Sequence, residues 1–319
     1  MSTAAPGGFR AATKPTMYFI GVTTGQSSIN RVFPLWAERL ALGDCALRGM
    51  DFPLQAEPER FRTAVDFIKH DPLSLGALVT THKLAVYQAC RDQFDTIEPL
   101  SATLGEISSI YKRDGRLHGR SVDPWTSGYA LKAFLPPGVW REGAEALILG
   151  AGGAGTALAW RLTQDRRDAG GPARIHAADR QQARLDHLQQ LHAAWCADVS
   201  LECHYVPNPA LADRVAGRLP AGSLVVNATG LGKDAPGSPL TDAAVFPEHG
   251  VVWEFNYRGK LVFLEQARAQ QRARTLKVED GWIYFLHGWT RVMADVFNRE
   301  IPTEGLTFDE LGRLAAGTR

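Results

Sequence analysis

The segment EALILGAGGAGTALAWRL, residues 145 to 162, constrains the fold of this chain more than any other feature. An apolar run leads into glycines at GxGxxG spacing, and apolar residues at helical spacing follow them. In a strand–turn–helix of this kind, the first glycine permits the turn and the second lets backbone amides approach a pyrophosphate. The third allows close helix–strand packing, and the helix N-terminus is the positive end of its dipole. We therefore predict a nucleotide-phosphate loop formed by Gly150, Ala151, Gly152, Gly153, Ala154 and Gly155.

A second strand-like run, ARIHAAD, ends in an acid at Asp179. An acid at this point typically bonds the adenosine ribose hydroxyls and repels a 2'-phosphate, which favours NAD. Arg180 follows at once and can pair with a phosphate, so NADP stays open. The competing interpretation of Asp179 is a turn residue that ends a strand.

Two later apolar runs also end in small or polar residues. They are GSLVVNATGLG (222 to 232) and GVVWEFNYRG (250 to 259). In a doubly wound sheet such loops lie at the carboxyl edge, against the cofactor. The cofactor contacts predicted here are Asn227, Ala228, Thr229 and Gly230, with Gly281 further on.

Strand-like and helix-like segments alternate along the whole chain, which indicates an α/β fold. Asp114-Gly115, between two short alternating runs, predicts a hairpin. The Pro/Gly-bearing stretch FLPPGVWREGAE is the expected passage between domains. We predict a flexible tail (1–16), an N-terminal α/β substrate domain (17–123 with 284–319) and a Rossmann domain with a doubly wound parallel sheet (124–283).

Composition excludes several classes of protein. The 319 residues carry a net charge of +1, so no bulk attraction to nucleic acid or to an acidic membrane is expected. The first residues lack the apolar core of a signal peptide, and no apolar run approaches the roughly 20 residues that span a bilayer. The four cysteines are expected to be reduced thiols of a cytoplasmic protein. The histidines show no HxxxH or HExxH spacing, so no metal is predicted.

The stretch GALVTTHKLAVYQA places His82 and Lys83 where a strand passes into an amphipathic helix. A lysine at such a position is usually a solvated surface residue. If a carboxylate converges on it, the lysine becomes a candidate proton carrier.

The order VTTHK, GRSVD, GAGGAG, NATGLG and EDGWIYFLHGW resembles the shikimate dehydrogenase family, which includes quinate dehydrogenases. The resemblance covers nearly the whole chain after the tail. It implies an N-terminal domain that binds a cyclic polyol acid, a C-terminal helix that returns to that domain, and a small-molecule substrate; it is compatible with a homodimer. It also implies that a lysine and an aspartate carry the proton. The matching positions are Lys83, from the family's NVTxPxK stretch, and Asp123, from its NTD stretch. The competing interpretation is a solvated Lys83 and an Asp123 that only caps a helix.

Several positions depart from the family pattern. In place of its carboxylate-binding SxSPxxHN stretch the chain has SSINRVF, with Ile29 at the second serine. Ala77 and Ser108 stand where the family has asparagines, and His287 and Gly288 stand where it has a substrate-binding glutamine. Each change removes a hydrogen-bond partner of the family's substrate, so we expect a changed substrate.

The polar residues still expected to face the substrate are rich in neutral donors, which suits a cyclitol, a keto-sugar or another polyhydroxylated ring. They are Thr23, Gln26, Ser27, Ser28, Thr81, Ser108, Tyr284 and His287. Two interpretations of His287 stay open: an acid/base or hydroxyl ligand, and a helix residue packed beside Trp289. His82 is expected to be structural.

Three functions are compatible with this sequence. The first is an NAD(P)-dependent alcohol dehydrogenase of the shikimate dehydrogenase-like group that acts on an altered cyclic polyol. The second is an ordinary shikimate or quinate dehydrogenase whose substitutions are compensated. The third is a nucleotide-binding regulatory protein without catalysis, which retention of Lys83 and Asp123 disfavours.

Overall fold

The computed structural model describes residues 8–167, 170–195 and 198–319. The chain divides into two compact units: Met1–Val122 with Leu286–Arg319, and Asp123–Phe285. The sequence predicted the divisions at 123/124 and 283/284, whereas the structure has them at 122/123 and 285/286.

The elements alternate along both units. The strands are β1 Thr16–Gly21, β2 Ala46–Asp51, β3 Ser74–Val79, β4 Thr96–Ile97, β5 Ser109–Arg113, β6 Arg116–Arg120, β7 Ala146–Leu149, β8 Arg174–Asp179, β9 Ser200–Tyr205, β10 Leu224–Asn227, β11 Val251–Glu254 and β12 Lys277–Glu279. The helices are α1 Ile29–Arg39, α2 Pro58–His70, α3 Lys83–Cys90, α4 Pro99–Leu104, α5 Asp123–Phe134, α6 Gly153–Arg167, α7 Gln182–Ala194, α8 Pro209–Ala216, α9 Val262–Gln270, α10 Trp282–Phe297 and α11 Leu306–Ala316.

The first unit is built on a mixed six-stranded sheet in the order β2-β1-β3-β5-β6-β4. Strands β1, β2 and β3 are parallel, and β5 runs antiparallel to β3. Apolar positions of α2 at helical spacing, among them Phe61, Val65 and Ile68, pack with Ile20 and Val79 of the sheet into one buried core. The parallel strands β1 and β3 thus bring their carboxyl ends to one edge, from which the loops before α1 and α3 emerge.

The predicted hairpin is confirmed. Arg113 pairs with Arg116, and both intervening residues have positive φ, 51° at Asp114 and 74° at Gly115. Two consecutive left-handed residues define the type I′ turn that suits the twist of a two-residue hairpin.

Part of the predicted tail is ordered against the first unit. Phe9 stacks on Phe67 with ring centroids 5.4 Å apart, and the Ala12 amide donates to Asp71 Oδ2 at 2.7 Å. Thr16 already belongs to β1. The first seven residues of that tail lie outside the described residues.

The second unit confirms the predicted Rossmann architecture. Its sheet has the order β12-β11-β10-β7-β8-β9, and every pair in it is parallel. If β7 to β12 are numbered 1 to 6, the strand order from β9 to β12 is 3-2-1-4-5-6, the order of a doubly wound sheet. The switch point of this order lies between β7 and β10. Its strands are buried nearly throughout at the centre, as a sheet covered by helices on both faces requires.

Within the described ranges, no helix combines the length and apolar character that a membrane crossing needs.

Candidate functional site

The glycine turn between β7 and α6 has the geometry that the sequence predicted. Gly150 has φ of 106°, and its amide donates to Ala178 O at 2.7 Å. A Cβ on Gly155 would lie 1.9 Å from Gly150 O, whereas one on Gly152 would meet nothing nearer than an Arg184 nitrogen at 4.0 Å. The first and third glycines are therefore required by the fold, while the second leaves an open backbone surface before the N-terminus of α6.

Asp179 turns its carboxylate towards the backbone of this loop. Oδ2 accepts from the Ala151 amide at 2.8 Å, and Oδ1 accepts from the Gln181 amide at 2.8 Å. Asp179 is 5% exposed, and Arg184 Nη1 lies 3.7 Å from Oδ2. The carboxylate therefore stabilises the glycine turn, in line with the competing interpretation of Asp179 as a residue that ends a strand. Arg180 and Arg184 are the exposed charged side chains beside it.

The loop after β10 is held by a buried network at the carboxyl ends of β10 and β11. Asn227 Nδ2 donates to Glu254 Oε2 at 2.6 Å, and the Asn256 amide and Nδ2 both donate to Oε1 at 2.7 Å. Asn227 Oδ1 accepts from the Thr229 amide at 3.0 Å, and Asn256 Nδ2 reaches Thr229 O at 3.0 Å. Two strand ends and the loop from Asn227 to Leu231 thus form one hydrogen-bonded assembly.

Glu254 at the centre of this network has no exposed surface. Burial raises the pKa of its carboxyl group to about 8, against the opposing effect of the donors from Asn256 and Asn227. Its role is to fix the loop backbone, because both of its oxygens are engaged by protein groups.

Gly281, the last predicted cofactor contact, is explained by packing. A Cβ there would lie 2.0 Å from Phe255 O. The position therefore has to be glycine for the backbones to approach, whether or not a cofactor contacts it.

Lys83 and Asp123 occupy the first positions of helices in different units. Lys83 begins α3, after β3 and the short connection from Thr80 to His82. Its carbonyl accepts from the Ile107 amide at 3.2 Å, which ties the helix start to the segment before β5. Asp123 begins α5 at the first residue of the second unit and is 5% exposed.

His82 is structural, as the sequence predicted. Its Nε2 lies 3.0 Å from Phe52 O, and its ring packs against Phe52 and Phe61 at centroid distances of 6.2 and 5.1 Å. It is 4% exposed. The neighbouring Lys83 is half-buried.

The serines expected to contact substrate are organised within the first unit. Asn30 Nδ2 donates to the carbonyls of Thr24 and Ser27 at 2.9 and 3.1 Å, which shapes the loop that carries buried Ser27 and Ser28. Ser108 Oγ accepts from the Val122 amide at 2.8 Å.

Other predicted substrate contacts differ in exposure. Gln26 and Thr81 are exposed, and Thr23 is half-buried. Tyr284, in the second unit, packs against Trp253 and Phe255 at centroid distances of 5.7 and 4.7 Å.

His287 is buried and neutral. It is 3% exposed, and its ring stacks on Phe308 at a centroid distance of 4.4 Å and an interplanar angle of 14°. Burial lowers the pKa of this imidazole to about 4. A ring that is uncharged near neutrality is unsuited to act as the resting acid, and its stacking on Phe308 supports the packing interpretation.

Sequence reasoning missed Glu254 and Arg184, and it placed Asn256 at the edge of the sheet without giving it a role. The strand end EFN contained Glu254 and Asn256, and a polar pair closing an apolar run was the available signal. Arg184 lies in the first turn of α7, but a basic residue on a helix surface is too common to single out.

The fold and the glycine turn define a class: a two-unit α/β protein whose second unit has the Rossmann fold. No family model matches the chain. A shikimate dehydrogenase (NADP(+)) of Symbiobacterium thermophilum is 33% identical over 187 residues, which are 58% of this chain and 60% of that relative. The chain is thus matched to less than two thirds of that relative's length.

Solved structures share the fold over nearly the full length. Shikimate 5-dehydrogenase of Thermus thermophilus, in complex with NADP(H) and shikimate, has a TM-score of 0.67 at 24% identity, covering 95% of this chain and 99% of that one. The ligand-free 5-ketofructose reductase of Gluconobacter has a TM-score of 0.65 at 16% identity, covering 95% and 98%. Together the comparisons confirm the resemblance to the shikimate dehydrogenase family.

Proposed function

We propose that this protein is an NAD(P)-dependent dehydrogenase that interconverts a ring hydroxyl and a ketone of a cyclic polyol. The observation that carries this proposal is the turn from Gly150 to Gly155, whose open backbone at Gly152 precedes the N-terminus of α6. The residues present fit a dinucleotide, since the turn offers backbone amides and the 227–231 loop closes the same edge of the sheet. The relative named shikimate dehydrogenase (NADP(+)) supports the same chemistry.

The proposed proton carriers are Lys83 and Asp123. A bound nicotinamide cofactor supplies a hydride acceptor for the carbinol carbon. In the oxidation, the Lys83–Asp123 pair accepts the hydroxyl proton as the ketone forms, and in the reduction it returns that proton to the alkoxide. The placement of both residues at helix starts, each separated from the preceding strand by two or three residues, supports this assignment, because it fixes the backbone from which each side chain extends.

The proposed substrate is a polyhydroxylated ring that lacks the carboxylate of shikimate. Ile29 and Ala77 stand where the family has polar residues, and both have no exposed surface. The guanidinium of Arg31 is held by Thr318 O, with Nε at 3.0 Å and Nη2 at 2.7 Å. A carboxylate placed near these residues would lose its hydration and gain few donors. The remaining hydroxyls, from Ser27, Ser28 and Ser108, suit neutral ring hydroxyls.

The second candidate is an ordinary shikimate or quinate dehydrogenase. Ser27 favours it, since it matches the first serine of the family's carboxylate-binding stretch, and Ser28 beside it carries a second hydroxyl donor. Under this alternative, the two serines alone would replace the missing partners of the carboxylate.

The test measures turnover of a panel of cyclic polyols and their ketones with NAD and with NADP. Reduction or oxidation of the cofactor is recorded as the change in absorbance at the nicotinamide band. The panel contains shikimate, quinate and matched rings that differ only by the carboxylate. We expect kcat/KM to be higher for the neutral member of each pair. A clear advantage for the acid would establish the second candidate, and no turnover of any polyol or ketone would contradict the proposed activity.

A further inference from the structure

A cluster of imidazole and carboxylate groups lies on one face of the second sheet, between β8 and its edge strand β9. His176 is the register partner of Glu202, and His204 follows Glu202 by two residues, so all three side chains leave the same face. His176 Nδ1 lies 3.0 Å from His204 Nε2 and 3.5 Å from Glu202 Oε2. One ligand atom of each of the three residues falls within 4.8 Å of the others.

We propose that His176, His204 and Glu202 form a site for a divalent transition-metal ion of the zinc class. Zinc binds imidazole nitrogen and carboxylate oxygen at about 2.0–2.2 Å, so tetrahedral ligand atoms lie roughly 3.3 Å apart. The distances from His176 Nδ1 to His204 Nε2, 3.0 Å, and to Glu202 Oε2, 3.5 Å, are close to this ligand–ligand separation. Imidazole with one carboxylate is a donor set that zinc accepts and that magnesium and calcium do not favour.

A second carboxylate orients the central histidine as a metal ligand requires. His176 Nε2 lies 2.8 Å from Glu145 Oε2, so the ring donates its Nε2–H to Glu145 and directs the Nδ1 lone pair towards His204. Metal-bound histidines usually donate their other nitrogen to a carboxylate in this way. His176 is 8% exposed, so this orientation is held inside the protein.

The carboxylate of Glu202, the proposed metal ligand, is held by an arginine. Arg174 Nη1 pairs with Glu202 Oε1, and Arg174 Nε lies 3.4 Å from Glu145 Oε1. Arg174 thereby balances part of the charge of the two glutamates. Oε2 of Glu202 is the oxygen on the His176 side, where it is placed to coordinate the ion.

Metal binding releases no proton from His176 or His204. Because His176 Nδ1 carries a lone pair, the proton between the two rings belongs to His204 Nε2. Coordination moves that proton to His204 Nδ1, and no proton is lost.

The site would link the edge strand to the body of the sheet. Among the described strands, β9 lies at the edge of this sheet, and an edge strand is where a sheet opens most readily. Metal binding should therefore slow amide hydrogen exchange in Ser200–Tyr205.

The experiment is a calorimetric titration of the full-length, tag-free protein with Zn²⁺, repeated with Co²⁺ while absorbance reports the coordination geometry. We expect one ion per chain. Glu145→Gln should weaken zinc affinity about 10- to 100-fold, and His204→Gln and Glu202→Gln by more than that. His187→Gln, on α7 of the same unit and outside the cluster, is the matched control and should leave the affinity unchanged.

Circular dichroism identifies any variant that fails to fold, and the Glu202 variant then stands in for the His204 variant. The proposal is overturned if no saturable Zn²⁺ binding occurs. It is equally overturned if folded His204→Gln and Glu202→Gln proteins bind zinc as the wild type does, or if His187→Gln weakens binding as much as they do. Because binding is measured without substrate or cofactor, the result is independent of the proposed dehydrogenase activity.

Discussion

Glu254 is a carboxylic acid enclosed by the ends of β10 and β11. Burial raises its pKa from 4.5 to about 8, so the folded protein holds this proton more tightly than the unfolded chain does. Its favourable contribution to folding is therefore complete below about pH 4.5 and is lost as the pH rises from there to about 8.

Glu254→Gln should remove this loss of stability at higher pH, because the glutamine amide is isosteric with the carboxyl group and does not ionise. From pH 5 to pH 8, the free energy of unfolding of the wild type should fall relative to that of the variant by up to about 1.4 kcal/mol per pH unit. Urea unfolding of both proteins at these two pH values measures the difference. An equal change in both proteins would mean that Glu254 ionises normally.

We expect the cofactor preference to depend on Asp179, the last residue of β8, and on Arg180 and Arg184 after it. Asp179 gives its oxygens to the Ala151 and Gln181 amides, and Arg180 and Arg184 add two positive charges at the surface. We therefore expect the site to accept a 2'-phosphate and hence to favour NADP, the alternative that Arg180 had left open.

Arg180→Ala and Arg184→Ala should each weaken NADP binding about tenfold or more, as expected for the loss of a charged hydrogen bond, and leave NAD binding nearly unchanged. Isothermal titration with both cofactors measures this, with Arg268→Ala on α9 as the control for an exposed arginine of the same unit. Equal losses for NAD and NADP would contradict the assignment.

At the scale of the element, two glycines of the turn from β7 to α6 are expected to have different roles, Gly155 in folding and Gly152 in cofactor binding. Gly155→Ala places a methyl 1.9 Å from Gly150 O and should destabilise the protein by about 1–3 kcal/mol. In Gly152→Ala the nearest contact of the new methyl is an Arg184 nitrogen at 4.0 Å, so the variant should keep the wild-type Tm. Its methyl should, however, occupy the surface that a pyrophosphate would approach.

Thermal unfolding and cofactor titration of both variants distinguish the two roles. Gly312→Ala on α11, where a methyl meets only Leu286 at 3.6 Å, is the control. A Gly152→Ala protein that binds NAD(P) as well as the wild type would show that the dinucleotide lies elsewhere.

The parts of this fold that the sequence could predict are those whose signal is local. The glycine spacing after β7 requires one backbone path, and Asp114-Gly115 requires one turn type, so both were predictable from a few adjacent residues. The edge strand β2 was missed because its residues are mostly half-buried and show no clear alternation.

What the sequence could not show depends on pairing between distant segments. The cluster of His176, Glu202 and His204 arises from the register of β8 with β9, and no spacing along the chain encodes that register. The direction of the Asp179 carboxylate is likewise decided by the Ala151 amide, 28 residues away in sequence.

At the scale of the whole molecule, the proposed chemistry draws one residue from each unit. Lys83 belongs to the first unit and Asp123 to the second, and the chain returns to the first unit within α10. The proposed activity therefore depends on both units, whereas the residues proposed to bind the cofactor belong to the second unit. Substitution of Lys83 should accordingly affect turnover and leave cofactor affinity intact.

The most direct test of this account is the turnover of Lys83→Ala and Asp123→Asn on the best substrate of the polyol panel, with cofactor affinity measured in parallel. We predict that each variant loses two or more orders of magnitude in kcat, roughly the contribution of general acid–base catalysis, while its Kd for the cofactor stays unchanged. Lys277→Ala, an exposed lysine of the second unit, should retain full activity. A folded Lys83→Ala or Asp123→Asn protein that keeps most of its turnover would contradict the central claim.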